Sequence, residues 1–325
     1  MEEAWKPATA GWLEERTNPA GEVAYFLKHH DGHCVFLRDD NLCAIHGLYG
    51  AEAKPSFCRE YPLHIVDAGD TSTVIVRASC GGYHKTYENG RLLSEHAVDV
   101  LALPRTLARR RFEPEQIELL PGLTISLSRW SEIESSLIDI ANQNLPVDIA
   151  LLTMRQRVFA HAGQPLPASD ANRARLAAGA VLEGLRRLMV KAVDDVNADP
   201  FRRKFADQAQ QLLTTGLQNL AQPRKLSPTG NRYMTQLLRS FLLARGWQTF
   251  GGVCEGLGLF LLQYRLVVAA SAASADDIGA DGAGPTMVTW TRMTENRAIL
   301  GILKMARPAL IDLLLLTPEV TDGPR

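Results

Sequence analysis

The sequence predicts a mainly α-helical protein, in which a small Cys-rich head with short β-hairpins is followed by a large all-α helical body. Four of the five cysteines and seven of the eight histidines lie in the first 100 residues, among short β-prone runs and turn formers. Beyond about residue 90, apolar residues recur with the 3.6-residue period of helices. We therefore predict two domains: a metal- or cluster-binding head over residues 1–90 and a helical domain over 91–325.

Composition excludes several classes of partner. The chain has 325 residues, of which 46% are hydrophobic and 22% charged, as is usual for a soluble globular protein. The net charge of −1 gives no overall field that would attract nucleic acid or an acidic membrane. The first 100 residues carry 15 Asp and Glu against 9 Lys and Arg, whereas the remainder carries 21 against 26. We predict an acidic head on a mildly basic body, with no nucleic-acid and no membrane partner.

The expected location is the cytoplasm. The N-terminal run MEEAWKPATAGWLEER has neither the basic nor the apolar region of a secretory signal. The longest apolar stretch, from Val253 to Ala273, contains Glu255, Gln263 and Arg265, which favours a buried helix over a membrane span. In a reducing cytoplasm, clustered cysteines favour metal binding over disulfides. If the protein were secreted, two disulfides would become the leading interpretation.

The head is predicted to contain two hairpins after an irregular or helical lead-in over residues 1–30. Each pair of β-prone runs flanks a segment rich in turn formers, Arg38–Asn41 in the first and Asp67–Asp70 in the second. The predicted strands are Cys34–Leu37 with Cys43–His46, and Leu63–Val66 with Thr73–Ala78.

The body is predicted to be helical, and strands are predicted only in the head. The small, Gly- and Asp-rich segment near 271–285 predicts a mobile loop. The basic run Arg105–Arg111 precedes several glutamates and predicts a solvated, ion-paired helix end rather than a nucleic-acid site. The predicted helices span roughly 91–103, 131–144, 147–162, 171–197, 201–221, 231–246, 253–272 and 287–316.

The four head cysteines form the candidate metal site. Their order is Cys34-x8-Cys43-x14-Cys58-x21-Cys80, which differs from the paired CxxC spacing of zinc ribbons. Each lies at the end of a short strand or in a turn with Pro or Gly, where side chains can converge on a shared centre. Thiolates are the ligands of zinc and of iron–sulfur clusters. The alternative, that the cysteines are small buried hydrophobes, is our interpretation of Cys254, which lies in an apolar helix.

Three further side chains are expected around the site. Arg59 directly follows Cys58, and its guanidinium could offset the negative charge of several thiolates. The alternative is a surface arginine paired with a neighbouring acid. His33 and His46 are the histidines best placed to assist as ligands or in proton transfer, although surface or structural roles remain open.

No catalytic residue is identified from the sequence. A Gly-rich strand–turn–helix for a nucleotide-like cofactor is absent. The glycines between Gly251 and Gly258 lie in an apolar helical context, which predicts close helix packing instead.

The cysteine motif resembles a known family. The run GHCVFLRDDNLCAIHGLYGAEAKPSFCREYPL, followed by Cys80, is similar to the YkgJ-like cysteine-cluster family, also described as a zinc- or iron-chelating domain. That family has G-x-C-x-F-L, then C-x-I-[HY], then P-x-x-C-R-x-[FY]-P, and Cys34, Cys43 and Cys58 match its cysteines. The segment from His46 through Lys54 looks most like the flagellin lysine-N-methylase branch.

The resemblance implies an iron–sulfur cluster or zinc as cofactor. It also implies methyl transfer from S-adenosylmethionine to the lysines of a protein substrate such as flagellin. One alternative function is a non-enzymatic zinc- or iron-binding structural protein, and another is a truncated, metal-free remnant of the family. The family pattern opens with a CxxC-type run that is absent before Cys34. Either the chain starts internally, or this member has lost part of the ligand set.

Overall fold

The structure is a computed structural model. It describes residues 11–17, 21, 23–30, 33–40, 42–68, 71–90, 92–96, 100, 109–111, 114–143, 145–194, 200–221, 225–271, 277–278 and 280–318. Parts of the predicted helix over 91–103, of the basic run over 105–111 and of the loop over 271–285 lie outside these residues.

The described residues form eleven strands and twelve α-helices. The strands are β1 (Leu13–Thr17), β2 (Val23–Leu27), β3 (His29–His30), β4 (His33–Cys34), β5 (Leu63–Ala68), β6 (Thr71–Val76), β7 (Arg109–Arg111), β8 (Gln116–Leu120), β9 (Leu123–Ser126), β10 (Lys225–Leu226) and β11 (Asp277–Ile278). The helices are α1 (Ala44–Tyr49), α2 (Ser56–Glu60), α3 (Gly81–Lys85), α4 (Leu127–Ala141), α5 (Val147–Ala162), α6 (Ala171–Asp194), α7 (Pro200–Asn219), α8 (Pro228–Leu243), α9 (Val253–Ala270), α10 (Ala280–Thr294), α11 (Arg297–Met305) and α12 (Arg307–Leu316). The predicted mainly-α fold with a small β-containing head is confirmed.

Local sequence signals explain where several body helices begin and end. Helix α5 has the predicted bounds: Pro146 stands at its N-cap, and Gly163 ends it with a left-handed φ of 64°. Helix α8 begins after Ser227, whose hydroxyl accepts a hydrogen bond from the backbone N–H of Gly230 at 3.0 Å. Pro228 then occupies the first turn of α8, where its missing N–H has no cost.

Helix α9 lies at the centre of the body. Two of its glycines allow close packing, as the sequence predicted. A Cβ on Gly256 would lie 2.1 Å from the Cβ of Trp247, and one on Gly258 would lie 2.1 Å from the carbonyl oxygen of Leu310. Cys254 is 1% exposed and belongs to this core. Of the helices described, only α9 is long and apolar enough to cross a membrane, but 78% of it is buried inside the fold, as in a core helix.

The N-terminal region differs from the prediction. The lead-in is not irregular or helical in its described part, because β1 and β2 form an antiparallel hairpin. The predicted hairpin of Cys34–Leu37 with Cys43–His46 is wrong. These two segments share only an isolated antiparallel bridge, between Leu37 and Cys43. The chain enters α1 directly after Cys43 and cannot continue as a strand. The second predicted hairpin is confirmed as β5 and β6, paired from Leu63↔Val76 to Ala68↔Thr71.

Strands are not confined to the head, which corrects the prediction. Strands β8 and β9 form an antiparallel hairpin, and β10 pairs with β11 in parallel. The described part of the basic run is strand β7 rather than a helix end.

Three helical predictions also change. Within the predicted loop over 271–285, residues 277–278 form β11 and residues 280–285 begin α10, so these described residues do not form a loop. The predicted helix over 287–316 is three helices, α10 to α12, which are interrupted at Glu295–Asn296 and at Ala306. In the predicted helix over 91–103, the described part holds a short 3₁₀ helix, Leu93–His96.

The head packs against the body through the sheet β6-β5-β7 and helix α3. Strand β7 pairs in parallel with β5, so this sheet includes residues on both sides of the boundary predicted at residue 90. The side chain of His84 in α3 packs closely against α10, where a Cβ on Gly284 would approach its Cγ to 2.3 Å. The two-domain division itself stays a prediction.

Candidate metal centre

Three of the four predicted ligands share one neighbourhood. Burial raises the pKa of the Cys58 thiol, the positive charge of Lys54 lowers it, and the charges of Cys34 and Cys43 raise it further. The thiols of Cys34 and Cys43 therefore lie within electrostatic range of the Cys58 thiol. All three are partly buried and form no disulfide.

Short, irregular elements bring these thiols together. Cys34 ends β4, and its carbonyl accepts a hydrogen bond from the N–H of Leu37 at 2.8 Å in a tight turn. The returning chain is fixed by the N–H of Ala44 to the carbonyl of Phe36, also at 2.8 Å, which places Cys43 at the start of α1. Cys58 lies in α2, where its N–H donates to the carbonyl of Pro55 at 2.9 Å. Three different elements therefore each contribute one cysteine.

Cys80 lies in a different environment. It stands just before α3, and its negative charge is not among the charges that act on Cys58. It is instead hydrogen-bonded to Tyr61, whose pKa is raised first by burial and then by the charge of Cys80. The Tyr61 hydroxyl also lies 3.3 Å from the carbonyl oxygen of Ser79, to which it donates. The described residues thus bring together three of the four predicted cysteines.

The cation that acts on Cys58 is one that sequence reasoning missed. Lys54 lowers the pKa of Cys58, whereas Arg59 donates from Nη1 to Oε2 of Glu52 at 2.7 Å. The Glu52 side chain is 90% exposed, so this surface pair contributes little to stability. The sequence signal for this contact is a basic residue, Lys54, four residues before a predicted ligand and directly before Pro55.

Arg59 nevertheless keeps an unused donor. Its side chain is mostly buried, and its Nε has no hydrogen-bond partner among the described residues. A buried N–H without an acceptor costs free energy unless a further group satisfies it. A negatively charged site beside Cys58 would supply such an acceptor.

The two predicted histidines are exposed. His33 belongs to β4 next to Cys34, and His46 lies in the middle of α1, one turn after Cys43. Exposure leaves their imidazoles available, but neither appears among the charges that act on Cys58.

The cysteine thiols suit a metal in their chemistry but not in their arrangement. Thiolates close together beside a lysine and an arginine suit zinc or an iron–sulfur cluster in their chemistry. In the part of the chain that the structure describes, however, no three His, Cys, Asp or Glu side chains are arranged to hold one ion. To hold a metal, the side chains of Cys34, Cys43 and Cys58 would therefore have to come closer together than they lie here, with Lys54 offsetting part of the thiolate charge.

An apolar groove of about 350 Å³ lies beside the cysteines. Its lining comes from β1, β2, α1 and the segment before α2, and includes Ala44 and Pro55, close in sequence to Cys43 and Cys58. Trp12 is 51% exposed and Tyr49 is 73% exposed at this groove. Contiguous exposed apolar surface is typical of sites that bind protein partners.

Comparisons with known proteins identify no relative: no family model matches the chain, and no curated protein or solved structure is significantly similar to it.

Proposed function

We propose that this protein binds a zinc ion or an iron–sulfur cluster through the thiolates of Cys34, Cys43 and Cys58, with Cys80 as the predicted fourth ligand. The observation that carries the proposal is the electrostatic effect of Cys34 and Cys43 on the Cys58 thiol, with three separate elements contributing the three cysteines. Like charges brought together in a partly buried place are unfavourable unless a cation compensates them. Lys54 supplies part of that compensation, and a bound metal would supply the rest.

The structure of the head supports a stabilising role for such a metal. Near the cysteines, the described residues bury only a few apolar side chains, chiefly Val35, Phe36 and Ala44. The β1–β2 hairpin is two-stranded and exposes Leu13, Val23 and Tyr25. A two-stranded hairpin is marginally stable alone, and metal binding commonly supplies folding energy to small domains. This observation favours the second candidate function, a non-enzymatic metal-binding structural protein.

Methyl transfer to protein lysine rests on the resemblance to flagellin lysine-N-methylases. The apolar groove supports a protein partner next to the metal site, as such an activity would need. Incubation with flagellin and labelled S-adenosylmethionine separates the two functions. Label on flagellin lysines supports the methylase, and its absence with metal-loaded protein supports the structural role.

Replacing Cys58 by alanine is expected to abolish stoichiometric metal binding, because it removes the thiol on which the charges of the other two cysteines act. The measurement is the iron and zinc content of anaerobically purified protein by mass spectrometry, together with the visible absorbance that distinguishes an iron–sulfur cluster from zinc.

The matched control is Cys254→Ala, which removes a thiol from the core of α9, away from the head. The control is expected to keep the wild-type metal content. Equal metal content in the two variants, or wild-type protein without stoichiometric metal, would contradict the proposal.

A further inference from the structure

A second cavity lies between the head and the body, away from the groove already described. It has a volume of about 180 Å³, is partly open to solvent, and is lined by β5 and β6 on one side and by α8, α9 and α10 on the other. Its inner wall is apolar and largely aromatic, formed by Leu237, Phe241, Phe250, Phe260, Met287 and Trp290. Pockets for drug-sized ligands measure roughly 300–1,000 Å³. This cavity therefore suits a smaller molecule with an apolar body.

Two opposite charges also line the cavity. Nη1 of Arg77, just after β6, lies 3.9 Å from Oε1 of Glu295, just after α10. That separation exceeds the range of a hydrogen bond, so the two groups attract each other without using up their donors and acceptors. Their side chains are 36% and 46% exposed, so both are accessible from solvent.

Glu295 is held in place by the buried Ser79, whose hydroxyl donates to Oε1 at 3.2 Å. Its second carboxylate oxygen has acceptor capacity, and the Arg77 guanidinium carries several N–H donors in a planar fork. A molecule bound here would meet a positive group, a negative group and an apolar interior within one small space.

We propose that this cavity binds a free α-amino acid with an apolar side chain. Its carboxylate would accept hydrogen bonds from Arg77, its ammonium would donate to Glu295, and its side chain would fill the apolar interior. A ligand with only one charge would satisfy one of the two groups and leave the other to water. This site does not depend on metal binding by the head cysteines.

The test is calorimetric titration of the full chain with L-leucine. Two analogues each lack one charge: 3-methylbutylamine has no carboxylate, and 4-methylpentanoate has no ammonium. We expect saturable binding of L-leucine and at least about tenfold weaker binding of each analogue, which matches the loss of one charge-assisted contact. Glycine, which has no side chain, should also bind more weakly.

Three variants locate the site. Arg77→Gln and Glu295→Gln are each expected to weaken L-leucine binding about tenfold, because each removes one charge-assisted contact. Ser240→Leu places a larger side chain in the cavity wall and is expected to block binding. The control Arg173→Gln breaks the ion pair with Asp312, a separate pair at 3.0 Å, and should bind as the wild type does. Absence of saturable L-leucine binding at millimolar concentrations, or equal binding by the Arg77 and Arg173 variants, would overturn the proposal.

Discussion

Replacing Arg155 by alanine is expected to lower the free energy of unfolding by about 3 kcal/mol, because it removes a buried cation that caps a helix. Arg155 is 3% exposed, and its Nη1 donates to the carbonyl oxygens of Leu314 at 3.2 Å, Leu315 at 3.1 Å and Thr317 at 2.6 Å. These carbonyls end α12 and have no partner within the helix. Urea unfolding followed by circular dichroism measures the loss.

Two further variants separate the hydrogen bonds of Arg155 from the packing of its side chain. Arg155→Met keeps most of the buried stem and removes the donors, so it reports the hydrogen bonds apart from the packing. Arg157→Ala, an exposed arginine on the same helix, should change stability by less than about 0.5 kcal/mol. If Arg155→Ala and Arg157→Ala unfold at the same urea concentration, Arg155 does not hold the end of α12.

Replacing Gly258 by alanine is expected to destabilise the protein by about 2–3 kcal/mol through overpacking. The new methyl group would lie 2.1 Å from the carbonyl oxygen and 2.8 Å from the carbonyl carbon of Leu310. These are backbone atoms of α12, so the clash cannot be relieved by turning a side chain. Helices α9 and α12 would have to separate, and thermal unfolding should show a lower midpoint.

The control for this change is Gly184→Ala in α6. A Cβ there meets no atom within 4 Å, and the residue lies inside a helix. Alanine should therefore stabilise the protein by about 0.5–1 kcal/mol, because it favours helix more than glycine does. A Gly258→Ala protein as stable as the wild type would mean that α9 and α12 are less closely packed than described.

Helices were the more predictable part of the fold because their signals are local. Helix α5 could be bounded from Pro146 and Gly163 alone, since both residues act on the backbone beside them. The hairpin of β8 and β9 was missed although Pro121-Gly122 lies at its turn, where Gly122 has a φ of 76°. That dipeptide between two apolar runs is a recognisable turn signal. Its neighbours Leu119 and Leu120 are consecutive and break the simple alternation of a strand.

The candidate site was less predictable, because it depends on contacts between distant segments. Sequence spacing suggested four equivalent cysteines, but Cys80 is hydrogen-bonded to Tyr61 and is not among the groups whose charge acts on Cys58. The cation beside the Cys58 thiol was unpredictable for the same reason. Arg59 adjoins Cys58 in sequence, yet Lys54 is the cation that acts on its thiol. Which neighbour in sequence becomes a neighbour in space was decided by the turns around Pro55, which sequence spacing does not describe.

The central claim is that Cys34, Cys43 and Cys58 bind one metal centre through sulfur. X-ray absorption at the edge of the bound metal, on the anaerobically prepared protein, tests this claim most directly. We predict three or four sulfur ligands at about 2.3 Å, the distance expected for zinc–thiolate bonds and close to that of iron–sulfur clusters. A first shell of nitrogen and oxygen alone, at about 2.0–2.2 Å, would contradict it.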